Sequence, residues 1–256
     1  MDQLFHNGGK APPGLLPLWE DGERLLCRGF DADNATAVLA VVAISEPPSP
    51  ASLDRLAHEF SLKDELDSAW AIRPLELERD RSRTVLILED PGGEPLAKLL
   101  DSPMDVERFL RLALGITRAL GKVHQHGLIH KDIKPANIMV DCVDGSVRLT
   151  GFGLASRLSR ERQAPDPPDT LAGTLAYIAP EQTGRINRSI DARSDLYSLG
   201  VTFYQMITGV LPLTAGDPMG WVHCHIARIP VPPHERVENI PAPISMIIMK
   251  IGRAHV

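Results

Sequence analysis

The chain has 256 residues, enough for one large domain or two small lobes. Hydrophobic residues make up 43% of the chain and charged residues 23%, as in an ordinary globular protein. Its 27 basic and 33 acidic side chains give a net charge of −6, which argues against a nucleic acid or an anionic membrane surface as the main partner.

The cysteines and the N-terminus bear on the compartment of the protein. Three widely spaced cysteines, Cys27, Cys142 and Cys224, argue against a disulfide framework and favour a reducing environment. The opening MDQLFHNGGK lacks the basic and then apolar pattern of a secretion signal. No apolar run approaches the roughly 20 residues that a membrane-spanning helix needs. These features predict a cytoplasmic domain without a membrane span.

The first third of the chain predicts a small β-rich unit. Residues 1–14 are rich in glycine and proline, which predicts a disordered N-terminus. Strands are predicted at Leu15–Trp19, Glu23–Arg28, Thr36–Ile44, Ile72–Leu77 and Thr84–Leu88. Between the third and fourth strands, apolar residues recur at helical spacing and predict one helix over Ser52–Leu66.

The remainder of the chain predicts a larger helical unit. Ser102 followed by Pro103 is typical of a helix start, and an apolar stripe continues from there to Gln125. A second helix is predicted from Ser194 to just before Gly209, with apolar residues on every side, so we expect it to be buried all round. Short strands are predicted at Ile138–Val140 and Val147–Leu149.

Four motifs follow one another in this second unit. They are HKDIKPANIM at His130–Met139, GFGLA from Gly151, GTLAYIAPE at Gly173–Glu181, and SDLYSLGVTFYQMITG from Ser194. In this order and spacing they resemble the catalytic loop, both ends of the activation segment, and the buried central helix of a protein kinase. The resemblance covers nearly the whole chain. It implies a two-lobed α+β protein kinase-like fold, with residues 15–90 as the small lobe and residues 91–250 as the large lobe.

A closer likeness is carried by two further stretches. EQTGRINRSIDARSDLYSLGVTFY and WVHCHIARIPVPP resemble the N-terminal Ser/Thr-kinase-like domain of large bacterial hybrid sensors. In that family the kinase-like domain precedes an AAA-type ATPase, a GAF domain and a histidine kinase. The resemblance implies that these domains of the same polypeptide are its partners, with a protein substrate as a further candidate.

The end of the chain departs from that likeness. The last residues, IGRAHV, resemble one reading frame of a sequencing-library adapter, so residues 251–256 are interpreted as an artefactual tail. We therefore expect the kinase-like fold to be truncated at its C-terminus.

The resemblance implies roles in phosphoryl transfer for three residues of the first motif. Asp132 would accept the proton of the substrate hydroxyl, and Lys134 would neutralise the transferring phosphoryl group. Asn137 would hold one Mg²⁺ ion through its amide oxygen. The alternative is that a buried polar loop keeps these side chains for hydrogen bonding alone.

Four further residues receive structural roles from the resemblance. His130 opens the catalytic loop, and Asp195 on the buried helix would brace that loop by accepting its backbone N–H bonds. Thr174 would hydrogen-bond near Asp132. Glu181 would pair with an arginine on a helix that follows.

The side of the site that would hold the phosphates departs from the family's pattern. Gly151 stands where a kinase has the aspartate that coordinates Mg²⁺, and glycine offers no ligand. The strand VLAVVAIS holds no lysine to contact the phosphates. Glu59, which would pair with that lysine, is therefore either a site residue or a solvated one. The turn Glu20-Asp21-Gly22 is too short to fold over a triphosphate.

The adenine side of the site departs from the pattern as well. Leu88 would be the last strand residue facing the pocket, Glu89 would offer a carbonyl to the adenine amine, and Met139 would form the floor. Pro91 stands where a backbone N–H would donate to the ring, and proline has none. The resemblance thus implies ATP and Mg²⁺ as cofactors, whereas these substitutions predict weak or absent binding.

Two hypotheses follow from this contrast. One is a pseudokinase-like regulatory module that docks on neighbouring domains. The other is an active Ser/Thr protein kinase that uses an unusual nucleotide and metal geometry. Fold alone does not decide between them, because function depends on the site.

Overall fold

The computed structural model describes residues 14–30, 36–45, 47–79, 83–157, 175–185 and 188–252. The predictions for residues 1–13, for Thr174 and for residues 253–256 lie outside this part of the chain. Within it, a β-rich small lobe and a helical large lobe form an α+β, two-lobed protein kinase-like fold. None of the described helices is long and apolar enough to cross a membrane.

The small lobe is a five-stranded sheet in which every neighbouring pair of strands is antiparallel. The strands lie in the spatial order β1-β2-β3-β5-β4. Their bounds are Leu16–Glu20 for β1, Arg24–Phe30 for β2, Ala37–Ala43 for β3, Pro74–Arg79 for β4 and Thr84–Glu89 for β5. All five predicted strands are confirmed, with ends displaced by one or two residues at most.

The helix of the small lobe, α1, spans Pro50–Ser61 rather than the predicted Ser52–Leu66. Ser49 caps it by accepting the backbone N–H of Ser52 at 3.1 Å, and proline occupies the first helical position. The helix ends earlier than predicted because the amide of Leu62 bonds to the carbonyl of Glu59, three residues back, in a tight final turn.

The large lobe contains five helices and five short strands among the described residues. The helices are α2 Val106–Gln125, α3 Ala192–Thr208, α4 Pro218–Ala227, α5 Pro233–Arg236 and α6 Ala242–Ile251. The strands are β6 Glu94–Pro95, β7 Leu128–Ile129, β8 Ile138–Val140, β9 Val147–Leu149 and β10 Ser156–Arg157. Strands β6, β8 and β9 form one small sheet, and β10 pairs with β7. The predicted bounds of β8 and β9 are confirmed.

The predicted start of α2 at Ser102 is wrong. The helix begins at Val106, and Asp105 caps it by accepting a backbone N–H bond within the first turn. The chain before it is held elsewhere, because the amide of Met104 donates to the carbonyl of Met206 on α3 at 2.9 Å. A tertiary bond thus prevents the Ser-Pro pair from starting the helix.

Helix α3 is buried on every side, as predicted, and it organises the large lobe. Asp191 caps its N-terminus, and Gly209 ends it in the left-handed conformation at φ +73°. It crosses α6 very closely, since a Cβ added to Gly200 would lie 2.4 Å from the backbone nitrogen of Gly252. Helix α6 ends at Ile251, and the domain boundary after Lys250 stays a prediction.

Candidate active site

The loop between β7 and β8 is held by a single buried carboxylate. Asp195 on α3 accepts the backbone N–H of His130 at 2.8 Å and that of Lys131 at 2.7 Å. Its carboxylate also lies 2.8 Å from the ring nitrogen Nε2 of His124. Lys131 is fixed at φ +67°, a conformation that non-glycine residues seldom adopt. The structure thus places Asp195 where the resemblance implied, against the backbone of the catalytic loop.

His130 links this loop to the segment that begins at Gly151. Its Nε2–H donates to the carbonyl of Thr150 at 3.0 Å, and its Nδ1 accepts the backbone N–H of Asp132 at 3.3 Å. Burial lowers the pKa of His130, so the ring is neutral and can donate on one side and accept on the other. The ring also lies 4.5 Å from the ring of Phe152, centroid to centroid.

The three predicted catalytic residues meet in one buried cluster. The Asn137 amide donates to the Asp132 carboxylate at 2.8 Å and to the Asp132 carbonyl at 2.7 Å. The Lys134 ammonium lies 3.1 Å from the same carboxylate oxygen. Asp132, Lys134 and Asn137 are 7%, 4% and 2% exposed, respectively. Whether they catalyse remains a prediction, but the structure brings them together.

Arg24, at the start of β2, enters this cluster and was not predicted. Its guanidinium donates to the amide oxygen of Asn137 at 3.0 Å and lies 3.7 Å from the Asp132 carboxylate. Burial alone would lower the pKa of Arg24, but the charges of Asp21, Asp132 and Glu59 outweigh burial and raise it, so the side chain is cationic. The oxygen expected to hold Mg²⁺ thus has an arginine as its partner.

Asp21 accompanies Arg24 into the cleft. Its carboxylate lies 3.1 Å from the Lys134 ammonium and accepts the backbone N–H of Arg24 at 2.9 Å. Burial alone would raise the pKa of Asp21, but the Arg24 and Lys134 cations outweigh it and hold that pKa well below its ordinary value. The short turn between β1 and β2 therefore places a carboxylate against the catalytic loop.

Gly151 and Glu59 form a contact of their own. Gly151 is left-handed at φ +79°, and its amide donates to the Glu59 carboxylate at 2.9 Å. Glu59 is only 1% exposed, so of the two alternatives left open by the sequence the solvated one is wrong: α1 turns this residue toward the large lobe. Burial raises the pKa of Glu59, and Arg24 together with the backbone N–H bonds of Phe152 and Gly151 opposes that rise.

Apolar side chains line the space where the base is expected. Leu88 and Met139, two of the predicted adenine contacts, belong to one buried cluster with Leu26, Leu39 and Val41. Val41 lies on the strand in which a lysine was sought, and it lines the same cavity as Gly151. That cavity has a volume of ≈ 20 Å³, and a single water occupies about 10–15 Å³ on this measure. A second cavity of ≈ 310 Å³ lies beside it and is lined by Asp21, Lys134 and Ala136.

The hinge between the lobes is tied by side chains. Glu89 accepts a hydrogen bond from the Ser68 hydroxyl at 2.5 Å through its carboxylate, and the predicted role of its carbonyl remains a prediction. Arg28 on β2 donates to the Asp90 carboxylate at 2.5 and 2.9 Å and to the carbonyl of Gly93 at 2.9 Å. This two-pronged contact joins β2 directly to the hinge.

Glu181 has a partner other than the predicted arginine. The hydroxyl of Ser194, in the first turn of α3, donates to its carboxylate at 2.5 Å. Glu181 is partly exposed rather than fully buried. The pairing of Glu181 with an arginine on a following helix stays a prediction.

A small antiparallel sheet, a helical lobe and the loop that carries Asp132 in the cleft between them are the features of a protein kinase-like fold. Over residues 30–246 the chain matches the family model described as Protein kinase domain. The chain therefore belongs to the protein kinase family.

The curated relatives are bacterial Ser/Thr kinases. Serine/threonine-protein kinase PknB of Mycobacterium tuberculosis is 32% identical over 167 residues, a match that covers 64% of this chain and 26% of PknB. Probable serine/threonine-protein kinase CA_C1728 of Clostridium acetobutylicum is 30% identical over 198 residues, covering 77% of this chain and 29% of the relative. The chain thus spans less than a third of the length of these relatives.

Proposed function

We propose that this domain is a regulatory, pseudokinase-like member of the Ser/Thr protein kinases that serves in a bacterial signal-transduction protein. The observation that carries the proposal is the geometry at Gly151. Mg²⁺ takes oxygen ligands, most often carboxylates together with substrate phosphates. Gly151 offers none, and a Cβ added there would lie 2.6 Å from the Asn137 side chain.

The surroundings of Asn137 support the same conclusion. Its amide oxygen is engaged by the Arg24 guanidinium at 3.0 Å, so a cation already neutralises this part of the site. Val41 and the neighbouring leucines supply apolar contacts where the phosphates would need a lysine. The residues present therefore do not fit ATP with Mg²⁺, and we expect such binding to be weak or absent.

The likeness to the N-terminal domain of bacterial hybrid sensors supports a regulatory context in the cytoplasm. In that setting the domain would act by docking on the ATPase, GAF or histidine kinase domains of its own polypeptide. A folded catalytic loop suits this role, because Asp195 and the buried polar cluster hold the large lobe together whether or not a nucleotide binds.

The second candidate function is an active Ser/Thr protein kinase. The assembled trio of Asp132, Lys134 and Asn137 favours it. In that case Asp132 would accept the proton of a serine or threonine hydroxyl, and Lys134 would balance charge on the transferring group.

A phosphoryl-transfer assay separates the two candidates. Radiolabelled ATP would be incubated with the protein and a general protein acceptor, using wild type, Asp132→Asn and the exposed control Asp144→Asn. We expect wild type to transfer no more label than Asp132→Asn. Label that requires Asp132 and is unaffected in Asp144→Asn would establish an active kinase. Transfer that survives in Asp132→Asn would show that Asp132 is not the base.

A further inference from the structure

Strand β2 points charged side chains into the cleft at both ends. Side chains two residues apart on a strand lie on the same face. Leu26 belongs to the apolar cluster that lines the cleft, whereas Leu25 and Cys27 belong to a separate cluster on the opposite face. Arg24 and Arg28 therefore flank Leu26 on the face that looks into the cleft.

Each arginine closes one end of that face. At the inner end Arg24 bonds to Asn137 at 3.0 Å and lies 3.7 Å from Asp132. At the outer end Arg28 binds Asp90 of the hinge through two of its nitrogens. One strand thus spans the cleft from the catalytic loop to the hinge.

The turn that leads into β2 is anchored as well. Asp21 lies 3.1 Å from the Lys134 ammonium, and Glu23 pairs with Arg55 of α1 at 2.6 Å. The turn is therefore bound to both lobes, because each of its two carboxylates faces a cation, one in each lobe. Removing one member of a buried ion pair lowers stability, because the other member is left as a buried charge without a partner.

We propose that the turn at residues 21–24, together with β2, is a built-in occupant of the cleft that keeps the domain closed to nucleotides. Arg24 takes the position of a cation beside Asn137, and the Asp21 carboxylate takes that of an anionic group beside Lys134. This inference rests on the proposed regulatory function and assigns the exclusion of nucleotides to a particular contact.

A closed cleft would lower the apparent affinity of the domain for ATP. When only a fraction of molecules is open, the apparent affinity for a ligand of the open state falls by that fraction. Removing Arg24 would raise the open fraction and release Asn137 and Asp132. We therefore expect ATP affinity to increase by up to about tenfold if the closed state holds nine molecules in ten.

Calorimetric titration with ATP tests this, in the presence of Mg²⁺ and separately with EDTA. The variants are Arg24→Ala, Arg24→Gln and Asp21→Asn, so that the test survives if one of them does not fold. The matched control is Arg111→Ala, which removes an arginine from an exposed ion pair with Glu107 on α2. We expect tighter ATP binding by the folded cleft variants and no change in the control.

Two results would overturn the inference. One is that the cleft variants bind ATP no better than wild type, including the case in which none of them binds at millimolar ATP. The other is weaker binding by the Arg24 variants, which would make Arg24 a nucleotide contact. Phosphoryl transfer by wild type would overturn the proposed regulatory function, whereas the effect of the Arg24 contact on nucleotide binding is tested separately, by comparing the affinities of the variants and wild type.

Discussion

The catalytic-loop side and the phosphate side of the cleft differ in which of the expected functional residues they keep. On the catalytic-loop side, Lys134 and Asn137 both contact the Asp132 carboxylate, and Asp195 on α3 braces the start of the same loop through the backbone of His130 and Lys131. On the phosphate side, Gly151 leaves no metal carboxylate. This difference shows that the catalytic loop is also a structural unit, because its buried polar groups form hydrogen bonds and ion pairs with one another. Its retention is therefore not by itself evidence of catalysis.

The largest expected effect lies on the retained side, at Asp195. Replacing it with alanine leaves two buried backbone N–H groups without an acceptor, at about 1–3 kcal/mol each. The control Asp191→Ala removes the cap of the same helix, at about 1 kcal/mol, together with an exposed ion pair to Arg193 that contributes little. Urea denaturation should show Asp195→Ala as clearly the less stable variant. Equal stability of the two variants would mean that Asp195 does not brace the loop.

A smaller effect is expected from restoring the carboxylate on the altered side. Gly151→Asp should add a metal ligand and some Mg²⁺ dependence to ATP binding, but it must also displace Asn137. Gly127→Asp is the matched control, since Gly127 is also left-handed but has nothing within 4 Å of an added Cβ. The control should lose about 1–2 kcal/mol through its backbone. Gly151→Asp should lose about 1–3 kcal/mol more through crowding.

Thermal melts of these two glycine variants, with and without Mg²⁺ and ATP, supply the measurement. If both lose the same stability, the space around Gly151 is less tight than the structure indicates. A large Mg²⁺-dependent stabilisation of Gly151→Asp would show that one residue accounts for the loss of metal binding.

The smallest expected effect is a pH dependence at Glu59. Burial holds its pKa above the ordinary value of 4.5, so the ionised form is disfavoured in the folded protein. Protonated Glu59 makes its full contribution to the free energy of unfolding below pH 4.5. That contribution is lost as the pH rises through the pKa of Glu59 in the folded protein. Glu59→Gln, which keeps an oxygen for the Gly151 amide, should therefore melt above wild type near pH 8. The two should converge near pH 4.

The exposed Glu107→Gln variant is the control for this titration. Glu107 lies on the surface of α2 and pairs with Arg111, so its replacement should shift the melting temperature little at either pH. Parallel melting curves for Glu59→Gln and wild type across this pH range would show that Glu59 does not titrate abnormally.

Much of the contrast between the two sides of the cleft can be predicted from the sequence, because it depends on short motifs and local patterns. The strands follow from alternation and from valine-rich runs, and the motifs fix the catalytic loop and the missing aspartate at Gly151. The start of α2 was misplaced because a tertiary bond from Met104 overrides a favourable Ser-Pro pair.

The role of Arg24 could not be predicted in the same way. Its partner Asn137 lies 113 residues away in the chain, and the two meet only because β2 crosses the cleft. The sequence does not decide whether Glu59 is a site residue or a solvated one for a related reason. Helical spacing alone does not show that the face of α1 that carries Glu59 contacts Gly151. One signal was available: Arg24, Leu26 and Arg28 alternate along β2, which places two arginines on the face of the strand that covers the cleft.

The central claim is that the catalytic loop is assembled while the nucleotide and metal side is not. Calorimetric titration of the wild-type protein with ATP, repeated over a series of Mg²⁺ concentrations, tests it most directly. We expect no saturable, Mg²⁺-dependent binding below the millimolar range. A dissociation constant in the low micromolar range that requires Mg²⁺ would contradict it, because Asn137 alone could not hold the metal.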